Sequence, residues 1–216
     1  MAALRRDFDG RPAIAIGAIV GAAGAIGVAI GFAVKPERAF GAYLAAWCTV
    51  ATIAIGGLIM LAIGYAANAR WPAAVRRPSE AVALALAPVA VLVLPLLVAP
   101  GYVWPWAAGG AERLHAVAVK RTYLSIPFFT LRTVVYLAVF VIAAEVLRRW
   151  SRRRDDHPLP PVPHGIDSLD RERRFASAML PVMGLAITFA SFDWLMSLQP
   201  DWWSSAFGLY LISACL

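Results

Sequence analysis

Two charged residues sit where charge is costly. Arg132 lies five residues after Pro127 in the apolar run Pro127–Leu147. Asp193 lies two residues before the end of the apolar run Phe175–Leu195. Ionisable side chains inside a hydrocarbon layer are expensive and are functional-site hypotheses by default. At 1.5 Å per residue, Arg132 is about 7 Å inside its run. Asp193 approaches from the same side at a similar depth. Opposite charges at one depth imply an ion pair or a shared polar pocket. Tyr136 falls at i+4 from Arg132, on the same helix face. Thr188 and Ser191 add hydroxyls to the run that carries Asp193. Two chemistries fit this set. One is a structural salt bridge holding two helices together. The other is a proton relay or a quinone headgroup pocket.

The other chemistry-bearing residues are less promising. Glu145 has Arg148 and Arg149 at i+3 and i+4, the spacing of an interfacial ion pair. His115, His157 and His164 all lie outside the apolar runs, so paired histidines cannot ligate a haem within the membrane. Cys48 and Cys215 stand alone in apolar runs, without CxxC or Cys/His spacing. No c-type haem, zinc or iron–sulfur site can be built from this chain alone.

The elements that position these residues follow from composition. The chain has 216 residues, 61% hydrophobic and 15% charged. A soluble domain is nearer 45–50% apolar and about 25% charged. Mean hydropathy is +0.68. A soluble domain, a disordered chain, a disulfide scaffold and a coiled coil are all poor fits. The expected fold is all-α: a polytopic transmembrane helix bundle with five full spans and a truncated sixth. The spans are read as Ala13–Val34, Gly41–Ala66, Ala81–Val98, Pro127–Leu147 and Phe175–Leu195. The first is too long for a signal-peptide core of about 7–15 residues. The sixth begins near Trp203 and reaches Leu216, 14 residues in all. At 1.5 Å per residue it covers about 21 Å of a core roughly 30 Å thick. The expectation is therefore a fragment, or a half-helix capped by a partner.

Orientation follows from the basic loops. The N-terminal segment 1–12, the loop 67–80 and the loop 148–174 together hold 14 Lys and Arg, against 5 in the loops of the opposite side. This bias places the N-terminus and the 148–174 loop in the cytoplasm and the loop 99–126 outside. It also absorbs the net charge of +7, which in a soluble protein would suggest nucleic acid. Pro158, Pro160, Pro161 and Pro163 make the 148–174 loop an extended one. Most tryptophans fall near span ends, as an interfacial belt would. Gly17/Gly21 and Gly27/Gly31 form small-residue faces, for internal packing or for docking a neighbouring protein. Pro88 and Pro95 share one face of the third span and should kink it. The freed carbonyls then need partners that this span does not carry.

One stretch is more specific. Residues 188–208, Thr-Phe-Ala-Ser-Phe-Asp-Trp-Leu-Met-Ser-Leu-Gln-Pro-Asp-Trp-Trp-Ser-Ser-Ala-Phe-Gly, closely resemble the signature of the ActF family, membrane subunits of bacterial alternative complex III. That complex is a quinol:cytochrome c oxidoreductase unrelated to cytochrome bc1. A second block resembles the same family: Lys120, then Tyr123-Leu124-Ser125-Ile126-Pro127-Phe128-Phe129, then Arg132. Tyr102 and Trp104-Pro105-Trp106 fit its aromatic outer loop. Ser125, Gln199 and Asp201 depart from the usual Asn, Glu and His. The resemblance covers most of this chain but only the N-terminal half of the family's length. The family is related to NrfD/PsrC-like quinone-reacting membrane subunits.

The resemblance implies a multi-pass subunit of the bacterial inner membrane without a redox centre of its own. It implies a proton path or a quinone-facing site, for which the candidate residues of this chain are Arg132, Asp193, Tyr136, Thr188, Ser191, Tyr123 and Lys120. Quinone, haem c and iron–sulfur clusters are expected on partner subunits. Those partners are a homologous quinone-binding membrane subunit, an iron–sulfur protein and c-type cytochromes. The alternative is a scaffold subunit with no proton or quinone site.

Overall fold

The computed structural model describes residues 10–67, 72–108, 122–156 and 170–216. All regular elements among them are helical. The α-helices are α1 (Arg11–Val34), α2 (Pro36–Ala66), α3 (Pro72–Ala83), α4 (Leu86–Leu92), α5 (Leu94–Val98), α6 (Ile126–Asp156), α7 (Asp170–Trp194) and α8 (Phe207–Cys215). Short 3-10 turns cover Pro100–Tyr102, Pro105–Ala107 and Met196–Leu198. Five helical segments are long and apolar enough to cross a membrane: α1, α2, Val75–Val98, Ile126–Arg153 and Asp170–Leu198.

The described residues up to Tyr43 form one compact unit and those from Leu44 onward another. In the first, α1 and α2 are separated by Lys35 alone. A loop over 35–40 was expected, yet the helix restarts at once. Proline excludes the helical region for the residue before it, and Lys35 accordingly sits at φ −144°, ψ 75°. Pro36 itself then opens α2, where its missing N–H costs nothing. Phe32 stacks on Phe40 at 4.2 Å and meets Tyr43 edge-on at 5.6 Å. Gly31 faces Ala39, leaving 3.2 Å for an added Cβ. Within this unit Gly17, Gly21, Gly24 and Gly27 face open space.

The second unit begins inside α2. The third expected span is longer at its front than Ala81 and is broken into α3, α4 and α5. The breaks follow the prolines. Pro88 has no N–H for the Leu84 carbonyl, which takes the Ala87 N–H at 3.3 Å instead. Pro95 breaks the next turn at Val93: it has no N–H for the Val91 carbonyl, which takes the Val93 N–H instead. There the Val89 carbonyl receives a hydrogen bond from Trp47 Nε1 of α2 at 2.9 Å. The neighbouring helix thus satisfies a buried carbonyl at this break, while the two carbonyls freed by the prolines are met by N–H groups of the span itself. Trp47→Phe keeps the ring and removes the donor. It should lower stability by about 1–3 kcal/mol, the cost of an unsatisfied buried carbonyl, read as a lower apparent Tm.

Helix α6 runs on to Asp156, past the expected end at Leu147. Arginine is a good helix former, and Glu145 bonds Arg148 and Arg149 at 2.7 Å each. Part of the expected 148–174 loop is thus helical at both ends, since α7 starts at Asp170. The sixth segment is shorter than expected. Helix α8 starts at Phe207, not near Trp203, and has nine residues. Ser204 and Ser205 favour local backbone bonds over helix. The Ser204 carbonyl accepts the Phe207 N–H at 3.3 Å. Two glycines seat α8. Gly208 lies against Thr188 of α7, where an added Cβ would come within 2.6 Å of the threonine methyl. Gly56 of α2 lies against the Cys215 carbonyl, with no room for a Cβ.

Candidate functional site

The two isolated charges meet. Arg132 of α6 and Asp193 of α7 form a bidentate pair, Nε to Oδ2 at 2.8 Å and Nη2 to Oδ1 at 2.8 Å. The planar fork of arginine matches a carboxylate in this way. Asp193 is fully buried and the Arg132 side chain is 11% exposed. Tyr136, one turn along α6, donates its hydroxyl to Asp193 Oδ2 at 2.9 Å. Arg132 Nη1 also donates to the Tyr123 carbonyl at 3.1 Å, pinning the turn that leads into α6. The guanidinium lies over the rings of Tyr123 at 3.9 Å and Phe128 at 4.3 Å. Burial first, and then the Asp193 charge, hold the Tyr123 phenol above its ordinary pKa, with Arg132 opposing. Tyr123 is therefore a neutral phenol beside the Arg132–Asp193 pair.

Aromatic side chains wall this cluster. Trp194, next to Asp193, donates Nε1 to Thr133 Oγ1 at 3.2 Å. It meets Trp47 edge-on at 4.8 Å and Tyr136 at 6.3 Å. Its carbonyl accepts Trp104 Nε1 at 3.2 Å. Trp104 and Trp106 both pack on Phe129, at 4.7 Å and 5.2 Å. The stretch Trp104–Trp106 after α5 thereby joins the end of α7 to the start of α6. Ser197 closes the end of α7 by donating to the Asp193 carbonyl.

Arg132, Asp193, Tyr136 and Tyr123 thus come together. Thr188 and Ser191 do not join them. Thr188 donates to the Gly184 carbonyl at 2.8 Å and Ser191 to the Thr188 carbonyl at 2.6 Å, both within α7. Helical hydroxyls have this local option whenever no better acceptor is in reach. Lys120 lies outside the described residues. Among the described residues no group of three or more His, Cys, Asp or Glu side chains is placed to hold a metal ion.

A second ionic cluster lies at the arginine-rich end of α6, and sequence reasoning missed it. Arg76 Nη2 of α3 bonds Asp155 Oδ1 at 3.0 Å, and Arg77 Nη2 bonds Asp155 Oδ2. Arg77 Nη1 also reaches Glu80 Oε2 at 3.0 Å. Counting 67–80 and 148–174 as loops hid it. Extending both helices puts Arg76 and Glu80 at i+4, a signal that was available in the sequence. At the same end Arg171 covers the Trp150 ring at 4.6 Å.

No protein-family model matches this chain, and no curated protein matches it.

Proposed function

We propose that the chain is a non-redox integral membrane subunit of a quinol-oxidising electron-transfer complex of the alternative complex III kind. In this reading it crosses a bacterial inner membrane several times, with the arginine-rich end of α6 on the cytoplasmic side. The Arg132–Asp193 cluster then lies near the outer face, where quinol oxidation releases protons, and supports proton translocation or release there. One observation carries the reading. The two sequence blocks behind the resemblance, 120–132 and 188–208, are far apart in the chain, yet one charge from each, Arg132 and Asp193, meet in a bidentate pair. Arginine has five N–H donors, and three are engaged among the described residues. The remaining donors suit an oxygen ligand such as water or a quinol hydroxyl. Redox centres are assigned to partner subunits: a homologous quinone-binding membrane subunit, an iron–sulfur protein and c-type cytochromes.

Purification of the native assembly tests this directly. Co-migrating c-type cytochrome and iron–sulfur subunits are the expected result by mass spectrometry. A chain that purifies alone, or only with proteins lacking redox centres, overturns the reading.

A scaffold role is the second reading. It is favoured by the complete burial of Asp193 and by its three donated hydrogen bonds from protein groups. Asp193→Asn and Arg132→Leu in the assembled complex separate the two. Retained assembly with reduced quinol oxidation or proton release supports the site. Full activity after both changes leaves only the scaffold.

A further inference from the structure

Helices α3 and α6 are antiparallel neighbours. Arg76 near the start of α3 meets Asp155 near the end of α6, while Trp104, beyond α5, meets Phe129 near the start of α6. Going inward by one turn from this ion pair reaches Glu80 on α3 and Ser151 on α6. Each lies at i+4 or i−4 from its paired neighbour, hence on the same face of its own helix and one turn inward from the ion pair. Glu80 is 6% exposed and Ser151 is fully buried. Glu80 Oε2 is bonded by Arg77, but Oε1 has no hydrogen-bond partner, and Arg76 Nε stops 3.9 Å away. Ser151 Oγ also has none. Two buried polar atoms without partners, each one turn inward from the same ion pair, are rare, because each carries a full desolvation cost.

We propose that Glu80 and Ser151 hold a bound water molecule at the inner end of a hydrated port. The water donates one hydrogen to Glu80 Oε1 and engages the Ser151 hydroxyl, the role buried waters usually fill. A cation is a poor alternative, since Arg76 and Arg77 already neutralise Glu80 and Asp155. The port opens on the arginine-rich side. Its outer layer is solvated: the side chains of Arg76, Arg77 and Asp155 are 26%, 54% and 33% exposed. The site stands apart from the Arg132–Asp193 cluster and does not depend on the role proposed for that pair.

The sign of a stability change tests it. A truly orphaned hydroxyl is a burden, so its removal would leave the protein unchanged or more stable. A hydroxyl that anchors a water is an asset. The apparent Tm of the detergent-solubilised full chain is compared for Ser151→Ala, Ser151→Thr and Ser151→Val. The proposal expects Ser151→Ala to lower Tm by about 2–4 °C. It also expects Ser151→Thr to exceed the isosteric Ser151→Val by a similar margin. An unchanged or raised Tm for Ser151→Ala, or equal Tm values for the Thr and Val variants, overturns it. Should the alanine variant fail to fold, the Thr–Val comparison decides alone.

Discussion

The double variant Arg132→Met/Asp193→Leu is expected to be more stable than either single variant. Each single change leaves a buried charge without its partner, at a cost of about 3–5 kcal/mol. The two singles should differ. Arg132→Met strands Asp193, which is fully buried and keeps only the Tyr136 hydroxyl, whereas Asp193→Leu strands a guanidinium that is 11% exposed and still bonded to the Tyr123 carbonyl. Arg132→Met is therefore the more damaging. The double change removes both charges together and restores apolar contact between α6 and α7. Buried ion pairs replaced by well-packed apolar residues often give neutral or improved stability. Apparent Tm values for the four chains form a double-mutant cycle, and the coupling term should be large and favourable. Additive losses would show that the pair does not act as a unit. The cycle also sharpens the functional question. A double variant that folds and assembles but loses the quinol oxidation proposed for the assembly gives the pair a role beyond joining two helices.

Trp194→Ala is the second large expected effect. Trp194 is 3% exposed and adjoins Trp47, Tyr136 and Thr133. Removing a buried indole costs about 3–5 kcal/mol in transfer and cavity terms. Its partners come from α2 and α6, so three helices loosen together. Trp194→Phe should cost far less, about 1 kcal/mol for the lost bond to Thr133 Oγ1 plus a small void. Both losses are read from thermal unfolding of the solubilised chain. Near-equal Tm values for the two variants would mean that the hydrogen bond, not the ring volume, holds the junction.

The pairing of Arg132 with Asp193 could be read from the sequence because charge in an apolar run has few places to go. Depth alone brought the two together, and helical spacing added Tyr136. The Glu145–Arg148–Arg149 contacts followed from the same spacing. The Tyr123 carbonyl could not be found this way, since any backbone oxygen in reach would serve. Thr188 and Ser191 show the converse. Their hydroxyls are satisfied one turn back on their own helix, a choice set by what lies within about 3 Å in space. The proline breaks were visible at Pro88 and Pro95, but the donor from Trp47 was not. It comes from another helix, at a level fixed only by how α2 and α4 pack. The Arg76–Glu80–Asp155 cluster was missed for a simpler reason: basic residues were taken to end the helices, whereas arginine extended them.

The spacing of the ion pair along the chain has a consequence for how the molecule is made. Arg132 and Asp193 are 61 residues apart. At synthesis rates of about 5–20 residues per second, roughly 3–12 s pass between the two. For a chain threaded into a bilayer as it emerges, Arg132 enters before its carboxylate exists. During that interval its guanidinium has the Tyr123 carbonyl and the rings of Tyr123 and Phe128, all within ten residues on the N-terminal side. These local contacts act as a temporary berth, carrying the charge until α7 arrives. The residues that look secondary in the finished site are thus the first to be needed.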